Sequence, residues 1–112
     1  MSKFAECMEH YKAQNSDLGL GLSEALLTGV AKGLGPSIYN PDSSKVSGSD
    51  PAELDRVKNN FLIKKLGLSD GPALDAAIAE VMEKMGTSNR NKYRAVVYAL
   101  LAVKFGKESM FL

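Results

Sequence analysis

Residues 50–86 read DPAELDRVKNNFLIKKLGLSDGPALDAAIAEVMEKMG and carry the start signals of two successive helices. Asp50 is a favourable N-cap, Pro51 takes the first helical position, and Glu53 completes a capping box. After a glycine that ends the first helix, Pro72 starts the second. Apolar residues between these signals recur every three or four positions, the period of a helix with one buried face. The stretch therefore predicts two helices joined by a short connection.

The same period continues on both sides of this stretch and predicts three further helices. The first runs over about residues 3–13, and the next covers residues 23–34 with a serine as its N-cap. The last is capped by Thr87 or Ser88 and runs to Phe105. The predicted fold class is all-α: a compact single-domain bundle of about five helices with no sheet.

Two segments interrupt the helical pattern. Residues 36–50 contain five serines, two prolines and one glycine, which predicts a long loop. Ile38, Tyr39 and Val46 are its candidate apolar anchors. Residues 107–112 form a short C-terminal tail that ends in three apolar side chains. The 112 residues together are expected to form one helical domain.

Composition excludes several classes of protein. Hydrophobic residues make up 45% of the chain and charged residues 24%, which is typical of a soluble globular domain. The net charge of +1 argues against a surface that binds polyanions over its whole extent. Cys7 is the only cysteine, so no intrachain disulfide can form, which favours a reducing cytoplasm. The longest uncharged apolar run, residues 95–103, is far shorter than the roughly 20 residues of a membrane span.

Basic residues are concentrated in the second half of the chain. Residues 51–112 carry ten basic and seven acidic side chains, and the stretch from Gly86 to Lys107 contains no acid. One interpretation is contact with an anion or a phosphate backbone near a helix N-terminus. The other is a solvated helix face that balances the acidic face of the preceding helix. The candidate anion-binding residues are Asn89, Arg90, Asn91, Lys92, Arg94, Lys104 and Lys107.

No catalytic or metal-binding pattern stands out. Cys7 and His10 lie three positions apart on the first helix and share a face. Two ligands are fewer than the four of a structural zinc site, and a nucleophile with a base would still need an orienting third group. We therefore predict no catalytic residue, no metal and no cofactor.

Two resemblances bear on function. Residues 66–90 resemble the helix-turn-helix of response-regulator DNA-binding domains, but the helix at the recognition position, residues 72–85, carries a net charge of −2. Acidic side chains would repel phosphates. The segments VAKGLGPSIYN, LDRVKNNFLIKKLGL and MGTSNRNKYRAVVYALL resemble a family of small bacterial proteins that is a domain of unknown function. That resemblance implies an all-helical bacterial cytoplasmic protein and supplies no activity.

Three functional hypotheses follow, in order of preference. The first is a non-enzymatic binding or interaction module, with a protein partner or a second copy of the chain as its target. The alternative is weak binding of nucleic acid or another polyanion through the basic helix over residues 88–107. The third is a small enzyme of unknown reaction.

Overall fold

Five α-helices form most of the chain over residues 3–40, 43–48, 50–86, 89 and 92–112, which the computed structural model describes. Within these residues no strand forms, so the all-α prediction is confirmed. Two 3₁₀ helices, Gly35–Tyr39 and Glu108–Phe111, add short turns. The helices are α1 (Lys3–Asp17), α2 (Glu24–Leu34), α3 (Pro51–Arg56), α4 (Pro72–Met85) and α5 (Arg94–Lys104).

The predicted N-caps of α2 and α3 are confirmed. The Ser23 hydroxyl accepts a hydrogen bond from the Leu26 N–H at 3.1 Å, and the Asp50 carboxylate accepts one from the Ala52 N–H at 3.0 Å. These bonds satisfy backbone donors that have no partner within the helix. Helix α3 continues without a break into a π-helical segment, Val57–Ile63. Such wide turns are rare and often lie beside functional sites.

Helix α5 is the centre of the core. Its residues from Ala95 to Ala102 are all buried, and they pack against α1, α2 and α4. Burial of a helix on all sides explains its uninterrupted apolar sequence. The helical period predicts that eight residues of the last three helices are mostly buried; seven of them are buried, and the eighth, Tyr93, is half-buried. The seven are Phe61, Leu62, Ile78, Met82, Val97, Leu100 and Leu101.

Two predicted helix boundaries are wrong. Helix α1 extends past residue 13 to Asp17, because the Asn15 side chain accepts from the Leu22 N–H and donates to the Leu22 carbonyl across the following turn. Helix α5 begins at Arg94, because the residues before it pair with another extended segment. Thr87 and Ser88, the predicted caps, lie outside the described residues.

The C-terminal tail folds back onto α2. The Phe111 ring stacks on Phe61 with 6.1 Å between ring centroids, whereas Met110 and Leu112 are exposed. A Cβ atom on Gly29 of α2 would overlap the Phe111 carbonyl oxygen. Gly29 therefore allows the close contact between α2 and the tail. This contact offsets the stability that a glycine costs in the interior of a helix.

Two glycines of the same helix give a matched test of this contact. At Gly33, also in α2, an added Cβ would meet nothing within 4 Å, so Gly33→Ala should raise the free energy of unfolding by about 0.4–1 kcal/mol. Gly29→Ala should lower it, because the methyl group displaces the tail. Urea unfolding of both variants checks the opposite signs. A stabilising Gly29→Ala would contradict the docked tail.

Candidate functional site

Arg94, in the first turn of α5, forms a buried ion pair with Glu53 of α3. The two side chains are only 12% and 10% exposed. The guanidinium also donates from Nη1 to the Tyr98 hydroxyl at 2.9 Å and from Nε to the Ser43 carbonyl at 2.6 Å. The other carboxylate oxygen of Glu53 accepts from Arg56 at 3.0 Å. Glu53 therefore serves this network rather than the predicted capping box, and the several partners offset the cost of burying both charges.

Arg94 holds residues 43–46 against the residues that precede α5, because its guanidinium donates to the carbonyls of Ser43 and Lys45. Two backbone hydrogen bonds of 2.8 Å, donated by the Val46 N–H and the Arg94 N–H, join the two segments. Between them Lys45 and Tyr93 form an isolated antiparallel bridge. Successive side chains of an extended segment point to opposite sides. Arg94 therefore turns toward the ion pair, and Tyr93 lies on the other side of the bridge.

A cavity of about 260 Å³ opens where Tyr93 and Lys45 lie. Three of the four tyrosines, the only histidine and the only cysteine of the chain meet there. Side chains three and four positions apart share one face of a helix, so α1 presents three of these residues together. The lining consists of Cys7, His10 and Tyr11 from α1, Ile38 and Tyr39 from the first 3₁₀ helix, Ser44 and Lys45, and Tyr93.

The Tyr93 ring is the centre of this lining. The His10 ring stacks on it at 5.9 Å between centroids, and the Tyr11 ring meets it edge-on at 5.4 Å. The Lys45 ammonium lies 5.7 Å from the centre of the same ring. Contacts of these kinds fix ring orientation. Tyr39 is 42% exposed and stands at the solvent side of the lining.

Tyr11 and Cys7 supply polar groups to the cavity. Burial, reinforced by the neighbouring Cys7, raises the pKa of Tyr11 well above its ordinary value, so its hydroxyl stays protonated. The Cys7 sulfur lies 3.8 Å from the Ile38 carbonyl oxygen, to which the thiol donates. Cys7 and His10 share a face as predicted, but they contact different partners. The cavity thus combines aromatic faces, hydroxyl groups and one full positive charge, on Lys45.

Three other cavities lie on the described part of the protein. A groove of about 410 Å³ is lined largely by aliphatic side chains, and its Lys104 and Glu80 form an ion pair with each other. A second groove, of about 230 Å³, is lined by Phe61, Tyr98 and Phe111 together with Asn60 and Lys65, and the Lys65 ammonium lies 6.0 Å from the centre of the Phe111 ring. A third, of about 280 Å³, shares His10 and Tyr93 with the aromatic cavity and extends it along α1. The cavity beside Tyr93 differs from these grooves in bringing together the histidine, the cysteine and three of the tyrosines.

The basic residues predicted to bind an anion do not form one open surface. Lys92 is 3% exposed, and its ammonium donates to the Asn89 carbonyl at 2.6 Å. Arg94 belongs to the buried ion pair described above. Both cations are committed to groups within the protein, which leaves them little capacity for an external anion.

Two further members of the predicted set, Lys104 and Lys107, lie apart from Lys92 and Arg94. Lys104 lies at the other end of α5 and is paired with Glu80, and Lys107 is half-buried beyond it. Arg90 and Asn91 lie outside the described residues. Anion binding by this set stays a prediction, and the geometry favours the aromatic cavity as the candidate site instead.

Neither a metal site nor a membrane span is found in the described part of the chain. There, no three or more histidine, cysteine, aspartate or glutamate side chains come together in an arrangement that could hold a metal ion. None of the helices in the same residues combines the length and apolar character needed to cross a bilayer.

A comparison with protein families identifies the family to which this chain belongs. The model of the DUF2853 family, described as proteins of unknown function, matches residues 3–109. The chain belongs to the DUF2853 family. No curated protein matches it. The resemblance carried by three sequence segments is therefore confirmed, and membership in DUF2853 brings no assigned activity to the cavity.

The cavity of this DUF2853 protein is only partly visible in its sequence. The shared face of Cys7 and His10 and the anchoring role of Ile38 follow from spacing and hydropathy. Lys45 carries no local signal, because it reaches the cavity only through its pairing with Tyr93, 48 positions along the chain. Concentration of the rare histidine and cysteine near the aromatic residues is the one hint that the sequence offers.

Burial of Tyr11 predicts a loss of stability at alkaline pH. The unfolded chain releases the tyrosine proton at a pKa of about 10, whereas the folded chain holds it to higher pH. The contribution of protonated Tyr11 to the free energy of unfolding is therefore fully present below pH 10. Above pH 10 that free energy falls by up to about 1.4 kcal/mol per pH unit. In Tyr11→Phe, the free energy of unfolding measured in urea should depend less steeply on pH between pH 8 and 11. The exposed-site variant Tyr39→Phe is the control, and an equal effect of both variants would contradict the assignment.

Proposed function

We propose that the protein is a non-enzymatic binding module and that the cavity around Tyr93 is its binding site for a small molecule. The observation that carries the proposal is the convergence of Tyr11, Tyr39, Tyr93 and His10 on one opening with a single cation, Lys45. Ligand sites are typically concave and rich in aromatic side chains, with a few polar groups that fix orientation. This cavity has each of those properties.

The rigidity of the lining supports the proposal. Tyr11 is 1% exposed and Ile38 5% exposed, so both belong to the core as well as to the cavity wall. Tyr93 is held between Tyr11 and His10 by ring contacts. A wall that is ordered before the ligand arrives loses little conformational entropy on binding. Tyr39 alone among the tyrosines of the lining is exposed, which suits it to close over a bound molecule.

The size of the cavity favours a ligand with one ring. An engineered apolar cavity of about 150 Å³ is enough to bind benzene. The volume here, about 260 Å³, accommodates such a ring with one polar substituent. Larger ligands would have to extend into the groove that shares His10 and Tyr93.

The contacts of Cys7 and His10 favour binding over catalysis. The Cys7 thiol donates to a backbone carbonyl, and the His10 ring stacks on Tyr93. Nucleophilic catalysis needs a hydrogen bond between nucleophile and base. Self-association through the exposed Met110 and Leu112 is a separate interaction hypothesis, and it does not involve the cavity.

Amide chemical-shift titration of labelled protein with benzamide and benzoate tests the proposal. Shifts should concentrate on the amides of Cys7, Tyr11, Ile38 and Tyr93. Because a lost aromatic contact is worth about 0.5–1.5 kcal/mol, Tyr39→Ala should weaken binding of the tighter probe by roughly two- to twelvefold.

Val103→Ala is the matched control for that variant. Val103 is 47% exposed, comparable to Tyr39, and lines the aliphatic groove on α5 instead of the aromatic cavity. Val103→Ala should leave the dissociation constant of the tighter probe unchanged. Shifts confined to the aliphatic groove, or no shifts with either probe at millimolar concentration, would overturn the proposed function.

A further inference from the structure

A groove between α4, α5 and the connection from α1 to α2 has an aliphatic floor. Its volume is about 410 Å³, and it shares no described lining residue with the cavity around Tyr93. None of the described residues in its lining carries an aromatic ring, a hydroxyl group or a side-chain amide. The uncharged side chains of the lining are Leu20, Leu22, Val81, Leu100 and Val103. The floor therefore suits a ligand whose buried part is wholly apolar.

One side of this aliphatic groove is open to solvent. Leu20, Leu22 and Leu100 are buried, but Val103 is 47% exposed. Gly21, between the first two leucines, has no side chain, and an added Cβ atom there would meet nothing within 4 Å. An apolar chain that enters from this side would remove the exposed surface of Val103 from water, which favours binding.

The charged side chains around the groove leave one cation in excess. Lys104 of α5 forms an ion pair with Glu80 of α4. Lys84 lies four positions after Glu80, on the same face of α4, and is exposed. It forms no ion pair with another residue of the described part of the chain. An anionic group at this rim is therefore attracted to Lys84, whereas a cationic group is repelled.

The volume of the groove suits a chain better than a single small ring. A cavity of about 150 Å³ is enough to enclose benzene. The volume here, about 410 Å³, leaves room for an unbranched chain of roughly eight carbon atoms as well as part of a head group.

We infer that this groove binds an amphiphile with a single aliphatic chain, whose anionic head group lies beside Lys84 while the chain packs on the leucines of the floor. The site is separate from the cavity around Tyr93, so the inference does not depend on the function proposed for that cavity. Carboxylate and phosphate head groups share the chemistry that Lys84 attracts, and the test separates them.

Amide-shift titrations with soluble amphiphiles, kept below the concentrations at which they form micelles, test the inference. Shifts should concentrate on the amides of Leu22, Val81 and Val103. Octanoate should bind roughly four- to sixteenfold more tightly than hexanoate, because each buried methylene group contributes about two- to fourfold. Hexanoate or hexyl phosphate should bind roughly two- to fivefold more tightly than neutral hexanamide, and hexyltrimethylammonium should bind most weakly. The tighter of the two hexyl anions identifies the head group.

Two variants of α4 should change octanoate binding in opposite directions. Lys84→Gln removes the excess cation and should weaken binding roughly two- to fivefold, whereas Glu80→Gln leaves Lys104 without its acid and should strengthen binding by a similar factor. Hexanamide binding should change in neither variant. Glu83→Gln and Lys32→Gln, which alter residues outside the groove, are the matched controls and should change the binding of neither probe. All four substituted residues are exposed, so each variant should fold.

The inference and the proposed function fail in different ways. The inference is overturned if octanoate binds no more tightly than hexanoate, if hexyltrimethylammonium binds as tightly as hexanoate, or if Lys84→Gln and Glu80→Gln do not act in opposite directions. Absence of shifts in this groove at millimolar octanoate would also overturn it, and so would binding to phosphatidylglycerol vesicles without a response to the soluble probes. A response to octanoate in this groove, with none to benzoate or benzamide around Tyr93, would uphold the inference and overturn the function proposed for the cavity.

Discussion

The buried ion pair between Arg94 and Glu53 is the constraint on which the arrangement of the chain depends. It joins α5 to α3, and the same guanidinium binds the carbonyl of Ser43 and the hydroxyl of Tyr98. Removing one partner of such a pair typically costs about 3–5 kcal/mol, because the other charge is left buried. The described residues between α2 and α3 have little regular structure beyond the first 3₁₀ helix, and this network holds residues 43–46 in place together with the buried side chain of Val46.

The Arg94 side chain of this pair also helps to position one wall of the aromatic cavity. By holding residues 43–46 against the start of α5, it pairs Lys45 with Tyr93. Those two side chains then complete a wall whose other half comes from α1 and the first 3₁₀ helix. The network lies on one side of the bridge and the cavity on the other. A structural interaction therefore positions the cation that gives the cavity its charge.

Local signals in the sequence predict the helices well and their long-range connections poorly. The caps Ser23 and Asp50, the proline starts and the buried face of α5 depend on neighbours in sequence, so spacing and hydropathy reveal them. The sequence pattern favours a surface cation at Arg94 and a capping role for Glu53, because each has a plausible local role. Their actual partners are 41 positions apart, and a single sequence carries no sign of that pairing.

Hydrogen exchange of the Val46 amide tests the central claim most directly, since that amide donates across the bridge to the Lys92 carbonyl. In Arg94→Met, exchange of the Val46 amide should accelerate at least tenfold more than exchange of the core amide of Leu101. Glu53→Gln should also accelerate exchange at Val46 more than at Leu101. Arg56→Met removes a partner of Glu53 that is 64% exposed, and it should leave the Val46 amide protected. If Val46 and Leu101 accelerate equally in Arg94→Met, the ion pair supports only global stability, and the account of how the cavity is positioned is contradicted.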